Sequence, residues 1–160
     1  MFVCQTRILE SGTLADSYSE EDLELRHGDF VSVHDTGDAS HLAQIRTNPT
    51  WSETPPEGSP FRITAKVSDA DVRSSGWRLL LPVRVAYTAE MAWTPMQTSE
   101  IGRGQRLVIR TEHGNELATA LERPLAVRAG QQHPAEMALI RLASDEDIAR
   151  AKKNEEQSQQ

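Results

Sequence analysis

The stretch from Arg103 to Ile148 begins RGQRLVIRTEHGNELATALERP, crosses a Pro-containing spacer, and closes MALIRLASDEDI. It reads as a hairpin, a loop, a third strand and a helix start. Aliphatic and β-branched residues favour strands at Arg106–Thr111 and Glu116–Leu121, with His113-Gly114 as the turn between them. Ser144 then caps a run of acids suited to the positive end of a helix. The same order of signals runs from His27 to Val72: HGDFVSVHDTGDASHLAQIRTNP, a Pro-rich spacer, then FRITAKVSDADV. Gly28 matches Gly104, Val33 matches Ile109, Ser68 matches Ser144 and Asp71 matches Asp147, each pair 76 residues apart. The hairpin turn shifts the register by one, so that Leu42 matches Leu117 and Ala43 matches Ala118. An internal period of this length decides the architecture. It predicts an α+β chain of two tandem, similar, mostly antiparallel β units, each ending in a helix, packed as a pseudo-symmetric pair. The first unit covers residues 1–76 and the second 77–160.

Size and composition agree with that division. A unit of about 75 residues buries only a modest share of its surface, so the two copies are expected to share a core. Hydrophobic residues make up 38% of the chain and aromatic residues only 5%, which makes the core aliphatic. The net charge of −7 is uneven: residues 1–75 carry 6 Lys/Arg against 13 Asp/Glu, and residues 76–160 carry 11 of each. The charge balance therefore argues against bulk attraction of the whole molecule to nucleic acid or an anionic membrane, while leaving room for a local arginine patch on the second copy. Cys4 is the single cysteine. It cannot build a disulfide framework or a zinc set within the chain. The start MFVCQTRILES has neither a basic region nor a long apolar run, so a cytoplasmic protein without a secretory leader is expected.

Outside the repeat's best-matched stretch, Phe2–Leu9 reads as a strand and Thr13–Ser17 as a short second one. Ser19–Asp22 suits either a helical turn or an extended segment. Thr47–Pro60, with four prolines, reads as a loop. Gly76 closes a short helix that begins after Ser68. Trp77–Tyr87 is the most hydrophobic strand, in which Pro82 argues for an edge or a bulge. Glu90–Met96 is a further strand, and Arg123–Glu136 is the second long loop.

The second copy resembles the polymerase-suppressor-protein C-terminal domain family, the RicT-like domains. The resemblance rests on the hairpin Thr111-Glu112-His113-Gly114-Asn115-Glu116-Leu117, the strand ending Ile140-Arg141, and the helix start Ala143-Ser144-Asp145-Glu146-Asp147-Ile148. The first copy keeps Gly28, the Val31/Val33 strand and Val67-Ser68-Asp69-Ala70-Asp71-Val72, but departs at Asp35-Thr36-Gly37-Asp38. The resemblance implies a non-enzymatic module of RNA-processing or regulatory assemblies. Cysteine-rich segments that follow this domain in RicT proteins, implicated there in iron–sulfur ligation, have no counterpart here, so no cofactor is expected.

Two constellations stand out. His27, His34 and His41 recur every seven residues beside Asp35 and Asp38. Were His34 and His41 to face each other across the hairpin, they would offer a metal or a catalytic pair; the simpler reading is a polar turn with no metal. Arg103, Arg106, Arg110 and Arg141 lie on or beside the second copy's strands. Arg106 and Arg110 share one strand face and with Arg103 suit phosphate. The simpler expectation is that these arginines pair with Glu112, Glu116 and the acidic first copy. No nucleophile elbow or phosphate-cradling glycine loop is present, and GRGQ at Gly102–Gln105 precedes a strand instead of following one. The chain is thus expected to be a non-catalytic binding or scaffolding module with a protein partner, with RNA binding through the arginines as the alternative. No membrane role is expected, and its free strand edges would allow self-association.

Overall fold

The computed structural model describes residues 1–158, with side chains described through Lys153. The chain divides into two compact units, Met1–Trp77 and Arg78–Gln160. The fold is mostly β, with two short-to-medium helices.

In the first unit the strands are β1 (Phe2–Ile8), β2 (Leu14–Ser19), β3 (Phe30–His34), β4 (Ser40–Ile45), β5 (Thr50–Trp51) and β6 (Phe61–Lys66), followed by helix α1 (Asp69–Ser74). The pairings β1–β2, β2–β6, β6–β3, β3–β4 and β4–β1 form a closed ring, with β5 added outside β1. Only β2–β6 is parallel. Alternation along each strand sends Cys4, Ile8, Val31, Val33, Ala43, Ile45 and Ile63 inward, and Leu23, Leu25 and Phe61 pack against them. Each fully buried aliphatic side chain of this kind stabilises the fold by about 1.5–3 kcal/mol relative to exposure. A small barrel closed in this way has its interior filled by side chains and leaves few free edges.

The second unit repeats the scheme. Its strands are β7 (Trp77–Val85), β8 (Met91–Met96), β9 (Arg106–Thr111), β10 (Gly114–Ala120), β11 (Leu125–Arg128) and β12 (Ala138–Leu142), followed by helix α2 (Asp145–Ser158). The antiparallel pairings of β1 with β2 and β4, and of β3 with β4 and β6, recur as those of β7 with β8 and β10, and of β9 with β10 and β12. β11 takes the place of β5 beside β7. Where the first ring closes by a short parallel ladder, the second has a single parallel bridge, Trp93 to Glu136. That point is reinforced by the ion pair of Arg78 with Glu136, and Arg78 also donates to the carbonyl of Gln131. The mutual hydrogen bond holds the Glu136 carboxyl below its usual range.

The correspondence extends to single residues. β6 bulges at Thr64, between the pairs Ser32–Ala65 and Val33–Ile63. β12 bulges at Ile140, between Val108–Arg141 and Ile109–Leu139, every member 76 residues later. Gly28 N–H donates to Ile45 O while Ile45 N–H donates to Asp29 O; Gly104, Ala120 and Gln105 repeat both bonds. Both glycines are left-handed, at φ 96° and 89°, a backbone conformation that an L side chain adopts only with strain. The side chain of Asp29 accepts the Arg26 N–H, and that of Gln105 accepts the Gly102 N–H. Ser68 and Ser144 each cap their helix through the N–H three residues on.

Several local expectations needed revision. The loops Thr47–Pro60 and Arg123–Glu136 each contain a strand, β5 and β11. Residues 20–27 carry no helical turn and run as coil, from which Leu23 and Leu25 reach the core. Pro82 lies inside β7 opposite Trp93 of β8, in a register without a bulge. The first unit shows why it fits. The equivalent residue is Gln5, whose N–H leaves the ladder and donates to the Thr47 hydroxyl. A proline there forfeits no ladder bond.

Candidate nucleic-acid interface

β9 carries Arg106, Val108 and Arg110 on its outer face, and Leu107 and Ile109, both fully buried, on its inner face. The shared face expected for Arg106 and Arg110 is thus present. Four residues at strand rise put them about 13 Å apart along the strand. Arg103 is exposed in the turn that leads into β9. Arg141 lies opposite Val108 on β12. Arg84 adds a fifth arginine that sequence reasoning missed: it pairs with Thr119 on β10, which in turn pairs with Arg106. Only the cross-strand register reveals that neighbourhood.

Two of these guanidinium groups are committed. Arg141 binds the Asp147 carboxylate at 2.6 Å, and Arg84 donates to the carbonyl of Ala89. Asp147 also accepts the N–H and hydroxyl of Ser144. The backbone donor first, and Arg141 second, bring its pKa down to about 2. Arg141 therefore serves the start of α2. Arg103, Arg106 and Arg110, by contrast, make no ion pair among the described residues, nor do Glu112 and Glu116. The expected neutralisation by those acids is not formed. The reason is geometric: Glu116 stands across from Ile109, whose side of the strand faces away from Arg106 and Arg110.

The family models, curated proteins and solved structures with which the chain was compared give no match. Function must therefore be read from the geometry alone.

The histidine hairpin does not assemble. Val33 lies opposite His41, and His34 opposite Ser40. His34 consequently points out of the barrel, and His41 lies on the inner side at its mouth. Each takes its own aspartate: His34 Nδ1 lies 3.2 Å from Asp38, and His41 Nε2 lies 3.0 Å from Asp35. The bond to His41, then the N–H of Ala39, lowers the pKa of Asp35. His41 also meets the Phe61 ring edge-on at 5.7 Å. These contacts fasten the hairpin tip. Among the described residues no group of three or more His, Cys, Asp or Glu is placed to hold a metal. Cys4 is buried, and burial pushes its thiol up to about 11, so it is a poor nucleophile. No helix among the described residues is long and apolar enough to cross a membrane.

Proposed function

We propose that the protein is a non-catalytic binding or scaffolding module of a cytoplasmic regulatory or RNA-processing complex, built by tandem duplication of one RicT-like unit. The observation that supports this reading is a contrast between interior and exterior. The two units repeat their antiparallel pairings, a bulge and a glycine-turn bond pair at equivalent residues, while their outer surfaces differ. One unit holds all the excess acid, and the other exposes arginines without partners. A frame kept twice beneath two unlike surfaces suits the simultaneous holding of unlike partners. The test is capture from native lysate with and without nuclease. Proteins that co-purify after nuclease treatment are the expected result; no capture under either condition counts against the module.

The exposure of Arg103, Arg106 and Arg110 favours a second reading, direct contact with RNA phosphates. The double variant Arg106→Ala/Arg110→Ala should then weaken RNA binding and reduce its salt dependence by a slope of about 2. An affinity unchanged by the substitutions and by salt would refute it.

A further inference from the structure

The outer face of the first unit carries an open groove of about 580 Å³. Its floor is the outward face of β1 and β2, where Val3 and Gln5 alternate with the inward core residues and Asp16 stands directly across from Gln5. Its far wall is the segment that follows β5, with Pro55, Pro56 and Glu57. The two carboxylates that line it, Asp16 and Glu57, make no hydrogen bond or ion pair among the described residues. No Lys, Arg or His lines the groove. Among the unit's cations, Arg26 and Lys66 lie near Asp29 and Arg62 near Asp38, while Arg7 is exposed on the same face of β1, two residues beyond Gln5 and outside the groove's lining.

We propose that this groove docks an extended, arginine- or lysine-bearing segment of a protein partner. The inference rests on the chain being a binding module and names the chemistry of one partner. Charge complementarity carries it. The groove belongs to the unit that holds all of the molecule's excess negative charge, and both carboxylates in its lining are free of partners among the described residues. Cationic groups along such a segment meet these carboxylates without displacing an existing partner. The proline wall offers an apolar surface to the methylene stems that carry those groups. Thr50, Ser52 and Thr54 also line the groove, where the Ser52 hydroxyl is held by the backbone of Thr54. Steering by opposite charge speeds such encounters and weakens them as salt rises.

The test uses the intact chain and a fluorescein-labelled, arginine-rich heptapeptide, read by fluorescence anisotropy. Asp16→Asn/Glu57→Gln is compared with Glu20→Gln/Asp71→Asn, which removes the same charge from exposed positions outside the groove. The groove variant should lose about tenfold in affinity while the control stays within about twofold. Equal losses would mean bulk charge only and overturn the proposal, as would absence of binding by the unaltered chain or equally effective displacement by spermidine. Equal urea midpoints for both variants show that folding is not the cause. Nuclease-treated lysate capture by the groove variant separates the two claims: proteins still captured by a chain whose peptide binding failed the test would leave the module standing and remove only the groove.

Discussion

Thr6 and Ser17 face each other inside the first barrel, fully buried, with their hydroxyl oxygens 2.7 Å apart. The equivalent residues in the second barrel are Val83 and Thr94, and there the Thr94 hydroxyl is buried without a partner. The two units thus present the same site with and without its hydrogen bond. Thr6→Val copies the second unit's arrangement into the first. Valine has the shape of threonine, so no cavity opens; what changes is that Ser17 is left unpaired. An orphaned buried hydroxyl costs about 1–3 kcal/mol. For a unit of this size that lowers the midpoint by about 4–8 °C per kcal/mol. Adding Ser17→Ala removes the orphan and should recover at least half of the loss. In the second barrel, Val83→Thr gives Thr94 a partner and should raise stability by about 1 kcal/mol. The assay is thermal and urea unfolding of the intact chain, followed by tryptophan fluorescence and circular dichroism. A neutral Thr6→Val, or a double variant less stable than the single one, would refute the assignment of these positions as equivalent interior sites.

Two other outcomes follow from the same geometry. Gly28→Ala and Gly104→Ala should each cost about 1–2 kcal/mol in urea unfolding, because both positions are left-handed and bonded alike; a cost at one glycine alone would contradict their equivalence. The carboxyl of Asp147, held near pH 2 by Ser144 and Arg141, should titrate well below the ordinary 3.8 in a carbon-detected NMR titration. Because its folded value is depressed, its support of the α2 start is fully present above about pH 4 and is lost as pH falls through about 2. Asp147→Asn should remove that pH dependence, and a midpoint at the ordinary value would refute the contact.

The repeat was legible because turn glycines, cap serines and strand cores are chemically constrained. Gly28/Gly104 and Ser68/Ser144 announce the same backbone bonds, and the one-residue shift at Leu42/Leu117 is the shift by which β4 and β10 correspond. The first strands were harder to align. Cys4 stands where Leu81 does, and Gln5 where Pro82 does, 77 residues apart; such pairs share an environment but no chemistry. β5 and β11 were hidden because Thr50-Trp51 and Leu125–Arg128 are too short to alternate visibly and lie among prolines. The shared face of Arg106 and Arg110 followed from strand parity. The engagement of Arg141 by Asp147, the separation of His34 from His41, and Arg84's place beside the strip depend on register, which residue spacing alone does not set.

The paired bulges are the most direct sign that the two sheets are equivalent. Cross-strand nuclear Overhauser contacts measured on the labelled chain should link Ser32 with Ala65 and Val33 with Ile63, skipping Thr64, and equally Val108 with Arg141 and Ile109 with Leu139, skipping Ile140. Contacts that place the second bulge at another residue, or pair β12 with β9 without one, would contradict the equivalence of the two sheets.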